Sequence, residues 1–194
     1  MVNGDFGAVI LSGGRSERMG RDKALLLTPS GKTVIEVVSE AASSIAKCVI
    51  EVGGSYSDFP RIPDKREHEG PLMGSLAGLR AISAMGNFDG IFLLACDLPM
   101  IDPESLNSLV FLSRGCTVVP IVSGRAQYSC SFVSALGIRS VLTKKEFPDF
   151  KWSGLFEATP DLIYLDIDAE SNLSTAAFLD VDTPLDYLNL YRRS

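Results

Sequence analysis

Arg15, Arg18, Arg21 and Lys23 follow Gly13-Gly14 closely, and the apolar run Ala8-Val9-Ile10-Leu11 precedes it. Without a Cβ, glycines let backbone N–H groups approach an anion. A short apolar run ending in such a turn marks the carboxyl end of a buried strand. The stretch from residue 8 to 23 therefore makes a clamp for a polyanion of the triphosphate type, the competing reading being a glycine-rich turn with solvated arginines. Two familiar phosphate loops are excluded. Gly13-Gly14-Arg15-Ser16-Glu17-Arg18 does not supply G-x-G-x-x-G, and Gly31-Lys32-Thr33 has Leu26 where a Walker A loop needs its first glycine.

The second chemical group is Asp97, directly after the most continuous apolar run of the chain, Ile91–Ala95. A run of that kind is a central strand covered on both faces, and open α/β sheets put ligand contacts just past such strands. A carboxylate there can hold Mg²⁺ against phosphates, with waters and one further carboxylate completing the shell. The plainer alternative is a turn residue satisfying local N–H groups. Asp180, Asp182 and Asp186 are candidates for the further contact, although Asp182 before Thr183-Pro184 also reads as the cap of a closing helix. His68, the one histidine, reads as a solvated side chain in a charged loop, and no nucleophile–base pair is evident.

The elements around these groups follow from pattern. Thr33 and Glu36 form a capping box before an apolar stripe from Val34 to Ile45, and Cys48–Val52 reads as the second strand. Residues 55–73 read as mostly loop, 74–85 as a helix, and Asp102-Pro103 as the start of another. Strands are expected at 117–122, within 127–134 and at 162–165, with helices at 136–145 and 185–191. The stretch 147–160 has no clear period and reads as a loop. Strand, helix, strand in the first 50 residues begins a right-handed parallel α/β layer.

With 194 residues and 46% apolar content, one domain is expected over 1–194, with a nucleotide-binding half to about residue 100 and an acceptor half beyond. A net charge of −6 argues against nucleic acid and anionic membranes as partners. Cys48, Cys96, Cys116 and Cys130 show no zinc-ligand spacing, and Cys48, Cys96 and Cys116, in or beside apolar strand-like runs, read as small core residues. No leader-like segment or long apolar run is evident, so a soluble, reduced, cytoplasmic location is expected.

Leu11-Ser12-Gly13-Gly14, Arg18-Met19-Gly20, Asp22-Lys23, Gly70-Pro71-Leu72-Met73-Gly74, Cys96-Asp97-Leu98-Pro99 and Asp180-Val181-Asp182-Thr183-Pro184 together resemble the molybdenum cofactor guanylyltransferase family. The resemblance implies a Rossmann-like three-layer α/β sandwich with a mostly parallel central sheet. It also implies transfer of GMP from GTP to molybdopterin with pyrophosphate release, using Mg²⁺, and contact with proteins that deliver or receive the cofactor. By motif, Leu11, Ser12, Gly13, Gly14, Gly70, Pro71 and Leu72 would bind nucleotide, Lys23 its phosphates and Asp64 its nucleoside. Asp97 would be the metal ligand, and Arg18 and Lys23 would neutralise the leaving group. The acceptor phosphate would be the nucleophile, so none from the protein is required. Val52-Gly53-Gly54 stands where the family often has Asn, and Gln127 is followed by Tyr128 in place of Pro. Tyr128 and Trp152 are aromatics available to a pterin and Arg125 a cation available to the acceptor, each also readable as an ordinary packing or surface residue. The alternatives kept open are a cytidylyltransferase of the same superfamily and a non-catalytic nucleotide-binding homologue.

Overall fold

The computed structural model describes residues 3–13, 19–63, 70–147 and 151–193. Its elements run β1 (Phe6–Leu11), α1 (Val34–Ile45), β2 (Cys48–Val52), β3 (Arg61–Ile62), α2 (Gly70–Met85), β4 (Gly90–Ala95) and α3 (Pro103–Ser113). They continue with β5 (Thr117–Val122), β6 (Arg125–Ala126), β7 (Cys130–Ser134), α4 (Ala135–Thr143), α5 (Trp152–Glu157), β8 (Leu162–Asp166) and α6 (Pro184–Arg193). One sheet joins the strands in the order β3-β2-β1-β4-β7-β5, with β6 and β8 both on β5. The pairs β2/β3, β1/β2, β1/β4 and β5/β8 are parallel, and β7 enters antiparallel between β4 and β5.

The fold is α/β, with helices on both faces of this sheet. β1 and β4 sit at its centre because their all-apolar runs can be covered from both sides. On one face α1 and α3 pack over Ile10, Phe92, Leu94 and Phe132; on the other α2, α4 and α5 pack over Val9, Ile91, Leu93 and Val133. Phe6, Phe92 and Phe132 meet edge-on or tilted at centroid separations of 5.2–6.2 Å, which locks β1, β4 and β7 together.

The helix starts follow local chemistry. Thr33 Oγ1 accepts from Glu36 N while Glu36 Oε2 accepts from Thr33 N, closing the expected capping box. Asp102 caps α3, with Pro103 at its first position. Three expectations change. The 55–73 stretch contains β3, and α2 begins at Gly70, where Pro71 opens a helix turn. Within 147–160 lies α5, a six-residue helix without a side-chain cap, held by fully buried Leu155 and Phe156. Its cause is tertiary packing, which leaves no period in so short a segment. Cys130 is the thiol enclosed in the core, whereas Cys48, Cys96 and Cys116 are half-buried. No helix among the described residues is long and apolar enough to cross a membrane.

Candidate functional site

Leu11 pairs in register with Val52 on one side and Ala95 on the other. The segments following the three strands, Ser12-Gly13, Gly53-Gly54 and Cys96-Asp97, therefore leave the sheet side by side at its carboxyl edge. Backbone bonds fix them: Ser12 N donates to Val52 O at 3.0 Å and Cys96 N to Leu11 O at 3.0 Å. Gly53 has φ +98°, and a Cβ on it would fall 2.5 Å from Gly13 Cα and 2.6 Å from Gly13 N. Only glycine fits there, because both the backbone angle and the close approach exclude a side chain. That approach fixes the backbone at Gly13, which is exposed.

Next to Gly13, Ser12 points inward. Its hydroxyl donates to Glu51 Oε1 at 2.5 Å and accepts from Gly54 N at 3.0 Å. Ser12 is nearly enclosed, so a nucleotide at this loop would be met by backbone, not by this hydroxyl. Burial pushes the Glu51 carboxyl upward, but hydrogen bonds from Ser12, Ser57 and the Tyr56 and Ser57 amides outweigh it and hold it below its ordinary value.

Asp22 caps the short turn Lys23–Leu25 by accepting from Ala24 N at 3.1 Å, and Ala24 anchors the turn in the core. Lys23 is thereby aimed across the edge of the sheet. Its Nζ lies 3.1 Å from Asp97 Oδ2 and 2.5 Å from Asp182 Oδ1. The closing segment reaches this point because Val181 N donates to Asp97 O at 3.0 Å, while Tyr187 Oη donates to Leu27 O at 2.9 Å. Burial lowers the Lys23 ammonium, yet the hydrogen bond to Asp182 and the field of Asp97 leave it above its ordinary value. Asp97 is raised by burial against the pull of Lys23. Asp180 is pushed up to about 6, first by burial and then by the charges of Asp97 and Asp182.

One oxygen each of Asp97, Asp180 and Asp182 lie within 4.8 Å of one another. Asp97 Oδ1 is buried and has no hydrogen-bond partner among the described residues. A buried orphan oxygen beside two further carboxylates is costly unless a cation shares the site, and hard oxygen donors suit a hard divalent ion. The acidic cluster fits such an ion. It borders a cleft of about 630 Å³ whose lining includes Arg125, Gln127, Asp180, Asp182, Asp186 and Asn189.

Leu11, Ser12, Gly13, Lys23 and Asp97 are thus brought to one edge. Gly14, Arg15, Arg18, Asp64 and His68 lie outside the described residues. Gly70 and Pro71 are exposed at the start of α2, which is held beside β1 by the approach of Gly74 to Leu11. Leu72 is corrected: it is fully enclosed in the core and presents no surface to a ligand. Asp182 does not cap α6. Thr183 and Asp186 do so reciprocally, Thr183 N donating to Asp186 Oδ2 at 2.8 Å and Asp186 N to Thr183 Oγ1 at 3.2 Å. Asp182 instead meets Lys23, and Asp186 is engaged in the cap, so of the three expected candidates Asp180 and Asp182 are the ones grouped with Asp97. Tyr128 packs on Phe156 at 5.2 Å and Trp152 against the core under α2; neither lines the cleft. Pattern does not single out Glu51 or Tyr56; the signal available for Glu51 is a single acid inside an otherwise apolar strand, while Tyr56, in the loop that follows, has none.

Residues 8–146 match the model of the MobA-like NTP transferase domain. The chain belongs to that family. Among the curated members of similar sequence, a probable molybdenum cofactor guanylyltransferase of Natranaerobius thermophilus is 36% identical over 129 residues, 60% of this chain and 60% of that protein. The match to that relative thus spans less than two thirds of its length. Another so named, from Pelotomaculum thermopropionicum, is 29% identical over 92% of this chain and 88% of its own. In fold, this MobA-like chain is similar to the crystal structure of molybdopterin-guanine dinucleotide biosynthesis protein A from Archaeoglobus fulgidus. The TM-score is 0.71 at 20% identity, covering 96% of this chain and 97% of that one.

Proposed function

We propose that this protein transfers GMP from GTP to molybdopterin and releases pyrophosphate, with Mg²⁺ at Asp97. The observation that carries the reading is the juxtaposition of the Gly13 backbone, Lys23 and the Asp97, Asp180 and Asp182 carboxylates at one edge of the sheet. It is supported by the family and by the names of the relatives. Residues to about 100 would hold the nucleotide, and the cleft formed with the second half would hold the acceptor.

In this reading the exposed backbone at Gly13 and the N-terminus of α2 receive phosphates, since unpaired N–H groups and the helix dipole favour anions. Asp97, Asp180 and Asp182 would hold the divalent ion, which when bound supplies charge neutralisation to phosphate oxygens. Lys23 keeps its proton and sits over the acidic cluster, from where it neutralises charge as it develops on the leaving pyrophosphate. Arg18 shares that role. Asp180 and Asp182 raise the negative charge of the cleft, so an anionic acceptor enters best with the cation in place.

The test is pyrophosphate release by the purified chain from GTP, Mg²⁺ and molybdopterin, with CTP as a second arm and Asp97→Ala as control. Release with GTP, and about a hundredfold less in Asp97→Ala, is expected. Release with CTP alone moves the reading to a cytidylyltransferase. Nucleotide binding without release makes the chain a non-catalytic binder.

A further inference from the structure

Among the described residues Glu51 is the single charged side chain in the buried set, and it stands in β2 between Ile50 and Val52, which are apolar and enclosed. A valine at this place could pack without any polar partner, so a retained carboxylate calls for an account of what it holds. Its two oxygens accept from two loops. Ser12 Oγ donates to Oε1 at 2.5 Å; Tyr56 N donates to Oε1 and Oε2 at 3.0 and 3.2 Å; Ser57 N and Ser57 Oγ donate to Oε2 at 3.0 and 2.6 Å.

These contacts extend to the site edge. Ser12 Oγ accepts in turn from Gly54 N, which joins the loop after β1 to the loop after β2. Tyr56 Oη donates to Asp22, and Asp22 caps the turn that carries Lys23. One buried acid thus reaches both the backbone at Gly13 and, through Tyr56 and Asp22, the lysine that meets Asp97. We propose that Glu51 is a positioning residue of the nucleotide site, holding the Ser12-Gly13 backbone and the Lys23 turn in the arrangement that receives a nucleoside triphosphate. This rests on the nucleotidyl-transfer reading above.

An amide cannot take over this role. The nitrogen of a glutamine would face donors and leave a buried N–H without an acceptor, whereas an aspartate keeps two accepting oxygens on a shorter arm. The experiment compares wild type, Glu51→Gln, Glu51→Asp and the surface variant Tyr56→Phe by amide hydrogen exchange and by calorimetric titration with Mg-GTP. In Glu51→Gln, exchange at residues 12–13 and 53–57 is expected to rise at least about tenfold while amides of β4 stay unchanged, and Kd for Mg-GTP is expected to rise at least about tenfold. Glu51→Asp should recover part of both. Tyr56→Phe, which leaves the core intact, should loosen residues 22–25 and weaken binding several-fold.

Equal Kd in wild type and all three variants overturns the assignment of Glu51. So does exchange that rises evenly across the sheet, since that marks a core-stability role alone. A wild type that binds no Mg-nucleoside triphosphate instead removes the proposed function itself, and with it the ligand these loops would hold.

Discussion

Replacing Lys23 by Met tests whether the ammonium is what allows the acidic cluster to exist without a metal ion. The Lys23 and Asp97 side chains are 15% and 16% exposed, with 3.1 Å between charges. At an effective dielectric of about 20 their attraction is about 5 kcal/mol, against which the desolvation of both groups must be set. The contact with Asp182, whose side chain is 45% exposed, is screened and contributes about 1 kcal/mol or less. Removing the ammonium leaves Asp97 enclosed beside Asp180 and Asp182, and uptake of a proton by this cluster recovers part of the loss. The net expectation is about 3 kcal/mol, or a fall in Tm of about 6–12 °C in chelator for a chain of this size. A divalent cation should then stabilise Lys23→Met more than wild type, because it replaces the missing charge. At about 100 times its Kd the ion would contribute about 2.7 kcal/mol, close to the whole deficit. The assay is thermal unfolding of both proteins in chelator and across a Mn²⁺ titration. A Lys23→Met protein that melts within about 1 °C of wild type in chelator, or gains no more from Mn²⁺ than wild type does, would falsify the reasoning.

Gly53→Ala should lower Tm by about 4–12 °C, since φ +98° and the 2.5 Å approach to Gly13 together cost about 2–3 kcal/mol. An unchanged melting curve would show that the backbone at Gly13 yields freely. Asp186→Ala should cost about 1 kcal/mol through the lost α6 cap and leave Mn²⁺ affinity unchanged. A tenfold weaker Mn²⁺ titration (about 1.4 kcal/mol) would return Asp186 to the metal set. The folded Glu51 carboxyl lies below its ordinary value of 4.5, so its stabilising contribution is complete above that pH and is lost as pH falls through the folded value. The Tm gap between wild type and Glu51→Gln should therefore be widest near about pH 7 and close in acid; melts showing a gap independent of pH would count against an ionised Glu51.

Much of this arrangement is written locally. The capping box at Thr33 and Glu36, the cap at Asp102 and the apolar run at Ile91–Ala95 depend on neighbours a few residues away, so pattern reveals them. The acid after β4 is legible for the same reason, its place being fixed by the end of a strand. Other features depend on partners far along the chain. α5 exists because Leu155 and Phe156 fill space under α2, and β7 lies antiparallel between β4 and β5 through pairings that no local period encodes. Whether Asp182 caps a helix or meets Lys23, 159 positions away in the chain, is decided by the competition of Thr183 and Asp186 for the helix start. The sequence by itself determined which residue types could bind a polyanion and a hard cation. Only the tertiary structure decided which carboxylates share Lys23, that Leu72 is enclosed and that Glu51 holds two loops, because burial and pairing are properties of the assembled sheet edge.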